Sequence, residues 1–216
     1  MTVWLTRIRP DLRRREARRD LASAVGMHHR LMSLFPDDTD DARRSFGVLF
    51  RVEDTETAPQ ILLQSTTAPQ LERLPADYAT TQIREITPLL QALAHGRRVH
   101  YRIAANPIRR PGRTTRQEHG APAVVPLSGK AAEQWWLTQS EAAGIKVETL
   151  HARPLDAARG ERAQDKRRIR HARTLFEGTA HIDDADLLRQ RTVEGIGRGK
   201  AYGCGLLSLA PARGSA

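Results

Sequence analysis

Ser45-Phe-Gly-Val-Leu-Phe-Arg-Val-Glu53 and Gln60-Ile-Leu-Leu-Gln-Ser65 are two runs rich in β-formers, separated by the polar turn Asp54-Thr-Glu-Thr-Ala-Pro59. Runs of that length and composition around such a turn read as two paired strands. Upstream, Val3 to Arg9 alternates and reads as an opening strand. Between that strand and the pair, Leu21, Ala24, Val25, His28, Leu31, Met32 and Phe35 recur at helical spacing and stop before Pro36, which predicts a helix. Downstream, Pro88 to Leu93 predicts a second helix, with proline in its first turn and Gly96 near its end, and Arg98 to Ala104 predicts a further strand. The order β-α-β-β-α-β is the split βαβ, or ferredoxin-like, unit.

A second unit is expected beyond it. Lys130 to Ala142 reads as a helix carrying Trp135 and Trp136. Ile145 to Leu150 and Leu175 to Ile182 read as strands, Asp183 to Arg191 as a short helix with acid at its start and base at its end, and Leu206 to Leu209 as a last strand. Arg109 to Pro122 has no hydrophobic period and holds Pro111, Gly112 and Gly120 among cations, so it reads as a connector. The expected fold class is α+β, with two tandem ferredoxin-like (RRM-like) βαββαβ domains at residues 1–108 and 123–216, joined by a connector at 109–122.

The formal charge of +10 on 216 residues points to a polyanionic partner, because a basic surface gains affinity by releasing counterions condensed on phosphates. Residues 1–100 carry 15 Lys and Arg against 13 Asp and Glu, whereas 101–216 carry 20 against 12, which places that partner mainly on the second half. No apolar run reaches the roughly 18 residues of a spanning helix. Met1 to Arg9 lacks the layout of a secretory signal, so the expectation is a cytoplasmic protein. The single cysteine, Cys204, has no cysteine partner for a disulfide or a thiolate metal site and reads as a small buried residue.

Three stretches carry candidate chemistry. Gly195 to Gly205 holds five glycines in eleven residues, and Gly197, Arg198, Gly199 and Lys200 suit a phosphate cradle, the alternative being a tight turn. It is no Walker A loop, since Ala201 stands where Ser or Thr is needed. Nor is it a dinucleotide fingerprint, since it follows a helix and precedes the last strand. The second stretch is the basic run Arg159, Arg162, Lys166, Arg167, Arg168, Arg170 and Arg173, either a solvated surface or a basic hairpin able to grip RNA phosphates. The third is His28, on the apolar face of the first helix, with His29 about 100° away. His28 is either a satisfied core histidine or a proton carrier, and the second role needs a cleft at that end of the helix and a nearby cation. No cluster of His, Asp and Glu shows metal-ligand spacing, so no metal or other cofactor is expected.

In chain order, the segments Trp4-Leu5-Thr6, Met27-His28 leading to Leu34-Phe35-Pro36, Leu62 to Ser65, Tyr101 to Ile108, Phe176-Glu177-Gly178, and Gly195 to Gly197 continuing to Gly203-Cys204-Gly205 and on to Pro211 make the chain similar to one family. It resembles the CasE family, the repeat-RNA endoribonucleases of type I-E CRISPR systems, over nearly its whole length. The resemblance implies two ferredoxin-like domains that bind the stem-loop of CRISPR repeat RNA and cut at its 3′ base without a metal. It also implies retention of the crRNA product and assembly with the other Cascade subunits. The family's histidine falls on His28, and a tyrosine that some members carry three residues earlier falls on Val25. The reaction so implied is attack of a ribose 2′-OH on the adjacent phosphate, giving a 2′,3′-cyclic phosphate and a 5′-OH. His28 would move a proton, and Arg168, Arg170 or Lys200 would stabilise the growing charge. Two other readings are a non-catalytic subunit that docks or protects a guide RNA and a basic ribosomal or assembly protein.

Overall fold

The computed structural model describes residues 1–36, 42–114, 117, 120, 124–161 and 168–212, with backbone alone at 42, 161 and 168–170. Strand β1 (Trp4–Pro10) is followed by helices α1 (Arg15–Leu21) and α2 (Ala24–Met32), the short helix α3 (Ala42–Ser45), strands β2 (Leu49–Glu53) and β3 (Gln60–Ser65), and strand β4 (Ala79–Glu85). These strands form one antiparallel sheet in the order β2-β3-β1-β4. Where one helix was expected there are two. Ser23 interrupts it in extended conformation and caps α2, its Oγ accepting from the Gly26 N–H at 3.1 Å. Helix α2 then lays Met27 and Leu31 on Ile8, Ile61 and Leu63 of the sheet, with Leu34 and Phe35 closing the same core.

The fourth strand corrects the sequence reading. Arg98 to Ala104 does not close the first sheet; as β5 (Arg98–Ala105) it pairs with strands of the second, and β4 takes the expected place beside β1. The change of sheet therefore falls between Glu85 and Arg98, around the short helix α4 (Thr87–Gln91), rather than after residue 108. Strand β4 escapes a pattern search because it is an edge strand. Its residues are mostly solvent-facing, and the sequence Ala-Thr-Thr-Gln-Ile-Arg-Glu offers no apolar alternation.

Past β5, the ends of the expected connector are pinned by a two-stranded ladder between β6 (Ile108–Arg109) and β7 (Val125–Pro126). Helix α5 (Gly129–Glu141), strands β8 (Ile145–Val147), β9 (His151–Glu161) and β10 (Arg168–Ile182), helix α6 (Ala185–Glu194) and strand β11 (Leu207–Pro211) complete the chain. The second sheet runs β11-β5-β10-β8, and β9 continues the β8 edge alongside β10. Trp136 on α5 is fully buried, its ring stacked on Phe176 at 5.6 Å and tilted against Tyr101 at 5.5 Å. Helix α6 starts at Asp184, whose carboxylate accepts from the Leu187 N–H at 2.9 Å, and ends at Gly195. No helix among the described residues is long and apolar enough to cross a membrane.

Gly178 shows why glycine stands in the middle of β10. A Cβ there would sit 2.0 Å from the Thr149 carbonyl oxygen, which itself accepts from the Tyr101 hydroxyl at 3.0 Å. Gly178→Ala must push that backbone away and is expected to lower the unfolding free energy by about 2–3 kcal/mol, read from urea denaturation.

The two sheets meet where the β2 edge docks on the end of the chain. Gly195 and Gly203 allow the approach: a Cβ at Gly195 would lie 2.7 Å from a Leu49 methyl, and one at Gly203 would lie 3.3 Å from the Phe50 ring. Gln64 on β3 donates to the Thr192 carbonyl of α6 at 2.9 Å. Arg51, only 2% exposed, reaches across from β2 and donates to the carbonyls of Arg102 and Leu206 at 3.1 and 3.0 Å and to Ser208 Oγ at 2.9 Å.

Candidate RNA-processing site

Docking of the sheets brings three distant stretches of sequence together at α2. The first is His28, half-buried on the helix. The second is the glycine-rich segment after α6, where a short 3-10 turn, Lys200–Tyr202, is entered through Gly199 and left through Gly203. The turn presents the Tyr202 ring edge-on to His28, with centroids 6.5 Å apart. The third is the β9–β10 hairpin: a Cβ at Gly160 would lie 2.7 Å from a Val25 methyl, so the helix rests on the hairpin's backbone.

The electrostatics are one-sided. Burial, reinforced by His29 and Arg43, pushes the His28 imidazole down to about 4, so it is neutral at physiological pH. Lys200 is lowered as well, first by burial and then by Arg43, although Glu194 partly opposes this; its ammonium donates to the Glu194 carbonyl at 2.6 Å. Arg191 and Arg44 add to the same positive field. Cations that depress one another's charge are the signature of a site left short of anion.

A cleft of about 800 Å³ opens beside the N-terminal end of α2, lined by Ser23, Met27, Arg153, Arg159, Arg173 and Tyr202 among others. Tyr202, whose ring meets His28, lines this cleft, although His28 itself does not, and Arg43 contributes positive charge at His28.

The expected RNA-contacting residues are distributed unevenly. Arg159 is exposed on β9 and lines the cleft, Arg198 is exposed, and Gly197, Gly199 and Lys200 are half-buried. Arg168 and Arg170 lie on β10 opposite Glu161 and Arg159 in the ladder, as a hairpin requires. Arg162, Lys166 and Arg167 lie outside the described residues. The glycine-rich segment is less of a surface than its composition suggests, since Gly195, Gly203, Cys204, Gly205 and Leu206 are buried, Gly195 and Gly203 of them against Leu49 and Phe50 of the first sheet, and only Gly197 to Tyr202 reaches the site. Cys204 is fully enclosed, and burial pushes its thiol up to about 12.

Four residues of this neighbourhood were not anticipated. Arg43 sits in a polar stretch without periodicity. Tyr202 is the lone aromatic among the glycines, and His171 stacks on it at 5.0 Å. Asn106, 4% exposed, hydrogen-bonds through Nδ2 to His171 Nδ1 at 3.0 Å. Among the described residues no group of three or more His, Cys, Asp and Glu is placed to hold a metal ion.

A family model described as "CRISPR associated protein" matches residues 3–211, which takes in both sheets and every residue of this site. The CRISPR-associated endoribonuclease Cse3 of Thermus thermophilus is 29% identical over 215 residues, spanning 97% of this chain and all of that one. The CRISPR system Cascade subunit CasE of Escherichia coli is 30% identical over 191 residues, spanning 86% of this chain and 90% of that one. Among solved structures, Thermus thermophilus Cse3 bound to an RNA representing a pre-cleavage complex superposes with a TM-score of 0.81 at 28% identity, covering 98% of this chain and 100% of that one. The chain belongs to the CasE family of CRISPR-associated proteins.

Proposed function

We propose that the chain is an endoribonuclease that binds the stem-loop of a CRISPR repeat transcript, cuts it without a metal, and keeps the product as a subunit of a Cascade complex. The observation that carries the reading is a neutral imidazole with the Tyr202 ring edge-on to it and the charge of Arg43 bearing on it, near a cleft that Arg153, Arg159 and Arg173 help to line, in a chain related along its length to a named endoribonuclease. His28 takes the proton from a ribose 2′-OH. That oxygen forms its bond to the adjacent phosphorus as the bond to the 5′-oxygen breaks, and the leaving oxygen is protonated from solvent. Arg43, Lys200, Arg168 and Arg170 are the cations assigned to stabilise the charge that grows on the phosphate. Arg159, Arg162, Lys166, Arg167 and Arg198 extend the grip along the RNA backbone, and Gly197 and Gly199 let the turn approach it.

The same reading takes the chain as two tandem ferredoxin-like units, divided between Glu85 and Arg98. With β8 and β9 counted as one edge strand, and strands numbered within each unit, both sheets run fourth-first-third-second, which supports it.

The test is incubation with the cognate repeat RNA in EDTA. The expected products end in a 2′,3′-cyclic phosphate and a 5′-OH, and intact RNA in EDTA would overturn the proposal. A base held near 4 works in its neutral form throughout the physiological range and is lost only as pH falls through that value. The second-order rate constant for cleavage is therefore expected to stay level from about pH 7.5 down to about 5.5, where an ordinary histidine base would lose most of its activity.

A further inference from the structure

The reaction uses His28, yet its ring has no hydrogen-bond partner among the described residues, so something else must fix its direction. The His29 ring from the same helix lies tilted beside it at 6.0 Å. Also against it is one end of a chain of contacts that begins deep in the second sheet. Asn106, buried just past β5, hydrogen-bonds to His171 on β10 at 3.0 Å. The His171 ring lies nearly parallel to Tyr202 at 5.0 Å, and Tyr202 meets His28 edge-on at 6.5 Å. Each contact crosses between elements, and together they join the central strand of one sheet to the helix covering the other.

We infer that Tyr202 is the positioning residue for His28: clamped by His171 and through it by Asn106, its ring holds the imidazole in place and keeps water off one side of it. Both of these contacts are made by the Tyr202 ring. Asn106 is suited to the anchoring end because it is buried and its side-chain amide hydrogen-bonds to His171 Nδ1 at 3.0 Å, which restrains the tilt of that ring. The charged groups that bear on His28 are His29 from its own helix and Arg43 from α3; the glycine-rich segment brings Tyr202 and Lys200, and the hairpin meets α2 through the uncharged contact of Gly160 with Val25. None of these is an acid that would hold a proton on the ring, so the exclusion of water by Tyr202 bears directly on when His28 becomes charged.

The inference rests on the endoribonuclease reading for its meaning but is tested apart from it. In the full-length protein with labelled histidines, the His28 ring resonance is followed by NMR from about pH 7.5 to 3 in wild type, Tyr202→Phe, Tyr202→Ala and His171→Ala. Wild type and Tyr202→Phe are expected to share a midpoint of about 4. Tyr202→Ala is expected to bring the midpoint up by about one unit or more toward the ordinary 6.5, and His171→Ala to move it the same way by less. With repeat RNA at saturation, Tyr202→Ala is expected to cut about tenfold more slowly or worse with stem-loop affinity within a few fold, and Tyr202→Phe to stay within about threefold of wild type. A His28 midpoint unchanged in Tyr202→Ala overturns the inference. Should that variant not fold, an unchanged midpoint in His171→Ala does so instead. If the titrations behave as expected but wild type cuts no repeat RNA, it is the proposed function that fails.

Discussion

His28→Ala is expected to reduce cleavage of the repeat stem-loop by about 10²- to 10⁴-fold in EDTA while leaving affinity for the uncut RNA within a few fold. The loss is large because the 2′-OH is a poor nucleophile until its proton is taken. Affinity survives for an electrostatic reason. RNA binding by a basic protein is driven by cations displacing counterions, and a neutral, half-buried imidazole contributes nothing to that term. His29→Ala is the matched control. It lies on the same helix but is exposed, and its removal is expected to change the rate by no more than a few fold. Single-turnover cleavage with end-labelled RNA and a parallel binding titration check both. Cleavage retained in His28→Ala would leave the protein as a subunit that docks or protects RNA.

That residue was legible in the sequence; the reason it can act was not. Helical spacing put His28 on the apolar face of α2, and part of the downstream strand of the basic hairpin was visible at Leu175 to Ile182; the upstream flank read as a strand, Ile145 to Leu150, holds β8, and β9 went unread. The pattern failed where burial is one-sided or the partner is distant. Strand β4 has almost no apolar alternation because nothing covers it, so the next strong β-pattern, at Arg98, was assigned to its place. Ser23 broke the expected helix because a capping hydroxyl two residues past Leu21 gives the chain a local hydrogen bond to start again on. The glycine-rich segment was read as a surface because glycines let phosphate come close. Gly195 and Gly203 use the same freedom to let Leu49 and Phe50 come close instead. Arg43, His171 and Asn106 carry no periodic signature at all; only the docking of one sheet on the other makes them neighbours of His28.

That docking has a single most exposed weakness, and it is a buried one. Arg51→Met is expected to lower the unfolding free energy by about 3–5 kcal/mol, on the order of 10 °C in melting temperature for a chain of this size. Arg51 is held in one geometry by the Glu53 carboxylate, its Nε donating to Oε1 at 2.9 Å, while its remaining donors serve the carbonyls of Arg102 and Leu206 and the Ser208 hydroxyl. Burial works against its charge and Glu53 restores it, so the pair persists only as a pair. Methionine fills much of the space but strands the Glu53 carboxylate at 12% exposure and leaves two carbonyls without that donor. Most of the cost is thus the penalty of the partners left behind, not the worth of the ion pair itself. The double change Arg51→Met with Glu53→Leu separates the two. It is expected to recover a good part of the stability, because Arg102, the second cation at Glu53, still has Glu177 at 2.7 Å. It is not expected to recover full cleavage, since Arg51 is also what seats β2 against Leu206 and Ser208, a few residues past the turn that carries Tyr202. Urea melts of the three variants read the stability, and single-turnover cleavage reads the rest. A single variant as stable as wild type would mean that Leu49 and Phe50 packing and the Gln64 hydrogen bond to Thr192 hold the sheets together without Arg51.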